Sequence, residues 1–223
     1  MNTKKKILNA FAGAGGNRKR WQNVDVTAVE LNPEIAGVYK ELYPEDEIIV
    51  GDAHEFIRQN YDKYDLIWSS PPCPSHSQIR YNIGFRANRK YAKVEAIYPD
   101  MMLYQEIIFL KHFATGLWVV ENVRPYYEPL IPATSSGGHL WWSNFKITDI
   151  EHGNRNHRGG TVETLQQRKE IDLSRFNIAN KRQILRNAVE PEVGAHILSC
   201  AFSTEPAPAY DFGLFDYVSK NSV

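Results

Sequence analysis

Tyr64-Asp65-Leu66-Ile67-Trp68-Ser69-Ser70-Pro71-Pro72-Cys73-Pro74-Ser75-His76-Ser77 opens as a short apolar run and stops at two prolines. A short apolar segment bounded by turn residues is what a strand in a covered parallel sheet produces. Proline donates no ladder hydrogen bond and fixes φ, so the strand ends there, with Cys73 on a stiff turn just past its carboxyl end. Ligands of open α/β sheets bind along that edge. A small buried thiol in an ordinary loop is the plainer reading of an isolated cysteine. The segments on either side bear on the choice.

Towards the N-terminus, Lys6–Phe11 reads as a first strand that enters Ala12-Gly13-Ala14-Gly15-Gly16-Asn17, with a helical turn through Arg18 to Trp21. Glycines between a strand and a helix let backbone approach a ligand closely, although a plain tight turn has the same composition. Val24–Val29 is a second strand ending at Glu30, and Pro33 occupies a first helical position in a helix to about Tyr43. An acid at the tip of the strand after a glycine loop is placed to accept from ribose hydroxyls; alternatively Glu30 only favours the next helix dipole. Glu47–Val50 is a third strand, ending in Gly51-Asp52-Ala53 before a helix through Gln59. Two acids at consecutive strand tips beside a glycine turn favour a nucleoside-type pocket.

Towards the C-terminus, the periodicity predicts a helix from Pro99 to Phe113 and a fifth strand at Leu117–Val120 that runs out at Glu121-Asn122-Val123. The βαβαβαβαβ order argues for an α/β fold with a mostly parallel sheet and helices on both faces. Cys73 and Glu121 then end consecutive strands and should be neighbours. After Pro125 the pattern changes. Gly137-Gly138 with His139–Ile147 reads as a turn and a strand, Thr148–Lys181 is polar and without clear period, and Lys181–Val193 leads into a helix to about Phe202. Cys200 on that helix reads as packing. The expected organisation is a core over 1–147, a small appended region over 148–181 and a C-terminal segment over 182–223 that returns to the core.

A chain of 223 residues, 43% hydrophobic and 12% aromatic, has enough apolar surface for one α/β domain and is not disordered in composition. No apolar run approaches the roughly 20 residues of a bilayer span, the basic Met1–Lys6 segment lacks the features of a signal peptide, and a cytoplasmic location is the expectation. Two cysteines give neither a disulfide framework nor metal-ligand spacing, so no metal is expected. The net charge of zero offers no global case for a polyanion partner. Locally, Arg80, Arg86, Arg89, Lys90 and Lys93 alternate with Tyr81, Phe85 and Tyr91 and no acid, which is either a solvated face or a nucleic-acid contact.

Phe11-Ala12-Gly13-Ala14-Gly15-Gly16, Glu30, Asp52, Pro71-Pro72-Cys73, Glu121-Asn122-Val123 and Asn187-Ala188-Val189 together resemble the ordered motifs of the DNA cytosine-5 methyltransferases, the small phage and mobile-element forms above all. The resemblance covers most of the chain from Lys6 to Phe202. It implies the Rossmann-like S-adenosylmethionine-dependent methyltransferase fold, S-adenosylmethionine as cofactor, and double-stranded DNA as partner with the target cytosine flipped out. It also implies a place in DNA methylation of the restriction-modification or phage kind. By the same resemblance Phe11, Gly13, Gly15 and Gly16 would line the methionine side of the cofactor, with Pro71 alongside. Glu30 would hold the ribose, Asp52 the adenine amino group, and Asn187 and Val189 would close the pocket. Cys73 would be the nucleophile and Glu121 would face cytosine N3. Ser75, Ser77, Arg80, Arg86, Arg89 and Lys90, in and after the Cys73 turn, would contact nucleic acid.

The chemistry calls for those residue types. Carbon 5 of cytosine is a poor nucleophile until a thiolate adds at carbon 6 and makes it enamine-like. A free cysteine is only a few per cent thiolate near neutrality, so a neighbouring cation or helix dipole is expected to help. A proton offered to N3 by Glu121 offsets charge that builds in the ring. In two places the chain departs from the family. The Gln-x-Arg-x-Arg element that follows the Glu-Asn-Val is replaced by His139–Phe145 without arginine, while Gln166-Gln167-Arg168 lies late. The 148–181 region is far shorter than a usual target-recognition domain. Three rivals stand. An amino-methyltransferase would carry an aromatic residue where Cys73 is. A cytosine-5 enzyme acting on RNA of the tRNA type keeps the same chemistry, and the sequence separates it poorly because phosphate contacts carry no sugar identity and the 2′-OH does. A catalytically weak nucleic-acid-binding module would need none of the chemistry.

Overall fold

The structure, a computed structural model, describes residues 3–78, 97–150 and 160–203. Its core is a sheet of seven strands in the order β3-β2-β1-β4-β5-β7-β6. The strands are β1 (Lys5–Ala10), β2 (Val24–Glu30), β3 (Glu47–Val50), β4 (Leu66–Ser69), β5 (Leu117–Asn122), β6 (Thr134–Ser136) and β7 (His139–Ser143). β1 to β5 pair in parallel, and β7 joins β5 antiparallel and pairs with β6. The chain winds outward from β1 to β3, then returns to start again at β4. The order thus reverses between β1 and β4, which opens a crevice at the carboxyl ends of those strands.

Strand alternation sends successive side chains to opposite faces. Ile7 of β1 packs with Val26, Leu66, Trp68, Val119 and Trp141, together with Trp21, Val193 and Ile197. Its neighbour Leu8 packs instead with Ile57, Ile67, Leu103, Ile107, Leu110, Val120 and Trp142. The second face is covered by α2 (Ala53–Asn60) and α3 (Met102–Phe113), and the first by a 3₁₀ turn (Asn17–Arg20) and α6 (Pro191–Ala201). Cys200 is buried on α6 in the first cluster, as packing. Among the described residues no helix is long and apolar enough to cross a membrane.

Local chemistry sets the helix starts. α1 (Pro33–Leu42) has proline in its first turn, and the Asn32 side chain accepts from the amides of Glu34 and Ile35 at 2.8 and 3.3 Å. Asp52 caps α2 by accepting from the Glu55 amide at 3.1 Å. α3 begins at Met102, later than the Pro99 expected from periodicity, because the Asp100 carboxylate takes the Met102 amide at 3.0 Å and holds a turn there.

The polar stretch after Thr148 is less irregular than its composition indicates. Thr161 caps α4 (Val162–Lys169), and Glu170 ends it in the left-handed conformation at φ 54°. Leu165, Ile171, Leu173 and Phe176 pack with Leu185 of α5 (Lys181–Asn187) against Ala14 and Val38. The described part of this region therefore covers the glycine loop. Its apolar residues fall partly on the helix and partly on the turn beyond it, so no single period reveals them.

A buried ionic cluster braces the loop from beneath. Asp46, 3% exposed, accepts from the Arg18 guanidinium through both oxygens at 2.7 and 2.9 Å and from the Tyr39 hydroxyl at 2.8 Å. Removing one partner of such a pair leaves a buried charge uncompensated. Asp46→Ala is expected to lower the unfolding free energy by about 3–5 kcal/mol in urea titrations. A change below ~1 kcal/mol would show that the cluster is solvated.

Candidate active site

β4 and β5 end side by side, with Ser69 registered against Val120. Past that register β4 runs into Pro71-Pro72-Cys73 while β5 continues to Glu121 and Asn122. The Asn122 side chain donates to the Pro71 carbonyl at 3.0 Å, and its oxygen accepts the Val123 amide at 2.9 Å. The turn beyond Cys73 is held as well. The Tyr126 amide donates to the His76 carbonyl at 3.0 Å, His76 Nδ1 meets the Tyr127 hydroxyl at 2.6 Å, and Ser77 bridges to Pro125. Cys73 and Glu121 are thereby fixed on one frame.

Both open into a cleft of about 1040 Å³. Phe11, Gly13 and Gly16 line it on one side, Glu30 and Asp52 at the tips of β2 and β3, and Pro71, Asn187 and Val189 along the rest. Of the expected cofactor residues, Gly15 is not in this lining. It has φ 74°, its carbonyl accepts from the Tyr43 hydroxyl at 2.7 Å, and a Cβ there would overlap the Tyr43 ring, so it packs the loop onto α1. Gly16 also lies close to its neighbours, since a Cβ would run into the Val189 carbonyl. Phe11 leaves β1 at φ 56°, a costly conformation for a bulky residue and one that functional loops retain.

Glu30 accepts from the Gly13 amide and the Asn32 amide, each at 2.9 Å and each on a different oxygen. A carboxylate has about four lone-pair sites, so these bonds orient it and leave acceptor capacity facing the cleft. Asp52 likewise uses one oxygen as a helix cap. Exposed Leu31 lies beside Glu30 in the lining and offers an apolar surface. Two strand-tip carboxylates, a glycine backbone and an apolar side chain suit the hydroxyls, amino group and ring of a nucleoside. The donor set fits S-adenosylmethionine.

The electrostatics of Cys73 run against expectation. Burial, and then the charge of Glu121, push its thiol up to about 11, opposed only by a backbone hydrogen bond. The described neighbourhood therefore keeps the thiol protonated near neutrality, where a cation was anticipated. Ser75 and Ser77 also have structural partners: the Ser75 hydroxyl accepts the Asp100 amide at 3.0 Å, and Ser77 forms the bridge to Pro125. Arg80, Arg86, Arg89 and Lys90 lie outside the described residues.

Some cleft residues have no counterpart among the sequence expectations. His54, beside Asp52, meets the buried Glu106 carboxylate at 2.6 Å, and Glu106 also accepts from Ser69. Burial disfavours the imidazolium, but the Glu106 hydrogen bond and charge outweigh it and raise the His54 pKa. His139, Arg168, Lys169 and Glu190 form a second group. Lys169 lies 2.8 Å from Glu190 and donates to the Ala188 carbonyl, while Arg168 lies 3.6 Å from Glu190. Burial lowers the Lys169 pKa despite Glu190. The Glu190 carboxyl is opposed by burial too, yet the Lys169 charge holds it below the usual range. His139 and Arg168, far apart in sequence, thus reach the same cleft. No local pattern reveals that convergence.

A family model described as C-5 cytosine-specific DNA methylase matches residues 5–126, more than half of the chain. No curated protein matches the sequence. Similar solved structures include a hypothetical protein of Thermus thermophilus, at 17% identity over 63% of this chain and 74% of that one, TM-score 0.41. A SAM-dependent methyltransferase of Agrobacterium tumefaciens matches at 16% identity over 57% of this chain and 41% of that one, TM-score 0.37. A mutant DNMT2 of Spodoptera frugiperda matches at 20% identity over 57% and 38%, TM-score 0.36. The chain spans less than half the length of the last two.

Two outcomes are expected from this geometry. With a pKa near 11, roughly 0.1% of Cys73 is thiolate at pH 8, so its alkylation by iodoacetamide, read on the Cys73 peptide by mass spectrometry, should climb through pH 9–11. Glu121→Gln removes the repelling charge and should move that profile to lower pH; an unmoved profile would separate the two groups. Asn122→Ala leaves the buried Pro71 carbonyl unpaired and should cost about 1–3 kcal/mol of stability. Equal stability in denaturant titrations would mean the turn holds without it.

Proposed function

The chain belongs to the C-5 cytosine-specific DNA methylase family, and from that premise we propose that it methylates carbon 5 of cytosine in DNA through a transient bond between Cys73 and the base. The cofactor is S-adenosylmethionine. When bound, it supplies an electrophilic methyl group. The observation that carries the reading is the shared cleft of Cys73, Glu121 and the glycine turn.

The Cys73 thiol loses its proton to solvent and adds to carbon 6, and the electron pair displaced from the 5,6 double bond makes carbon 5 nucleophilic. Glu121 holds a proton at N3 and stabilises the charge arriving there, a general-acid contribution of roughly 10²–10⁴-fold. The two events are coupled. A proton on Glu121 removes the charge that pushes the thiol up, so the state with neutral carboxyl and thiolate is the one suited to attack. After methylation carbon 5 loses its proton to a base, the Cys73–carbon 6 bond breaks and the double bond is restored.

In this reading Phe11, Gly13 and Gly16 receive the methionine end of the cofactor, Glu30 the ribose hydroxyls and Asp52 the adenine amino group. Asn187 and Val189 close over it, and Pro71 lies between the cofactor and the base. A base inside a duplex is out of reach of Cys73, so the target cytosine is flipped out at a cost of a few kcal/mol. Ser75, Ser77, Arg80, Arg86, Arg89 and Lys90 contact the strand.

A labelled-methyl assay on duplex DNA and on RNA tests this. Label is expected as 5-methylcytosine in DNA, with Cys73→Ala abolishing incorporation while calorimetry shows unchanged cofactor affinity. Label in RNA alone would move the substrate to RNA. Persistent turnover by Cys73→Ala would remove the covalent step.

A further inference from the structure

Ser136-Gly137-Gly138-His139 closes the β6–β7 hairpin. Gly137 and Gly138 have φ of 62° and 82°, the double left-handed conformation of a tight two-residue turn. The turn makes His139 the first residue of β7. Glu121 of β5 is registered against Trp141, so His139, two residues earlier, shares the face of both. Its ring packs edge-on to Trp141 at 5.9 Å.

From there His139 Nε2 lies 3.7 Å from Glu121 Oε1, within ion-pair distance and longer than a hydrogen bond. The imidazole side chain is 22% exposed, that of Glu121 is 10% exposed, and both line the cleft. His139 Nδ1 is buried without a hydrogen-bond partner among the described residues. An imidazole this close to a carboxyl group in the cleft, with its other nitrogen buried and unsatisfied, calls for a role beyond packing.

Resting on the function proposed above, we propose that His139 is the positioning residue of Glu121 and its proton partner, a role for which the sequence offers no arginine at this place. The exchange balances simply. The imidazolium gives its Nε2 proton to Glu121 Oε1, leaving a neutral imidazole and a neutral carboxylic acid whose O–H is free to face the base. The proton returns when the product leaves. The groups that face the pair are Glu190, before α6, whose charge acts on His139; Lys169 on α4, whose charge acts on Glu121; Arg168, tied to Glu190; and Cys73, on which the Glu121 charge acts. Arginine in the same place would orient Glu121 without yielding a proton, because it stays charged at all working pH.

Histidine NMR titration of the whole chain, with the His139 signal identified by its loss in His139→Gln, reads the coupling without any turnover. Glu121→Gln should move the His139 midpoint to lower pH, since it removes the carboxylate that favours the imidazolium. An unmoved midpoint overturns the proposal. Methyl-transfer kinetics provide the second reading: His139→Gln should lower kcat by roughly tenfold or more with KM for DNA little changed. It should also erase a loss of rate on the alkaline side of the imidazole titration, and His139→Arg should recover part of the rate without restoring that limb. Variants that keep the wild-type pH profile at a reduced rate would show a structural role only and overturn the proposal. Wild-type protein that methylates nothing would defeat the proposed function, while the NMR coupling still decides whether the pair exists.

Discussion

A single side-chain amide fixes the centre of this protein. Asn122, 1% exposed, donates to the carbonyl of Pro71 across the gap between two parallel strands. That bond joins the residue after Glu121 to the turn that carries Cys73, at the point where ladder hydrogen bonds have run out because proline cannot donate. A backbone carbonyl buried there without a donor would be costly. The requirement to satisfy it sets the distance between a thiol and a carboxyl group whose residues are far apart in the chain.

Close placement has an electrostatic consequence. Cys73 is desolvated and faces the Glu121 charge, so its thiolate is disfavoured on both counts. The described surroundings of Cys73 thus favour the thiol over the thiolate. The imidazole at 139, across the β5–β7 ladder, lies 3.7 Å from the Glu121 carboxyl group. Three residues from three strand ends thus face one cleft, with the Lys169–Glu190 ion pair in the same lining.

That ion pair comes from the C-terminal third of the chain. α4 and the turn after it pack on Ala14 and Val38, and Ala188-Val189 presses against Gly16, so the glycine loop is enclosed between α1 and a later segment. Glu30 threads the loop to β2 through the Gly13 amide. The loop is therefore positioned from both sides, which suits a site that must hold a nucleoside still.

Strand and helix order from Lys6 to Glu121 was legible in the sequence because each element is short, strongly periodic or apolar, and bounded by glycine, proline or a capping acid. Asn32 before Pro33 and Asp52 before Ala53 are examples. The prolines before Cys73 alone located the strand end, and strand order implied that Cys73 and Glu121 would adjoin. Local pattern did not extend to α4, whose buried residues are divided between a helix and a turn, or to Gly15, whose contact is with Tyr39 and Tyr43 rather than with the cleft. Nor did it reveal that His139 and Arg168 share a cleft with Glu121, or that burial raises the Cys73 thiol. Those properties depend on distances between segments remote in sequence and on how much water their packing excludes. Composition and periodicity encode the elements; only the folded sheet decides which charges face one another.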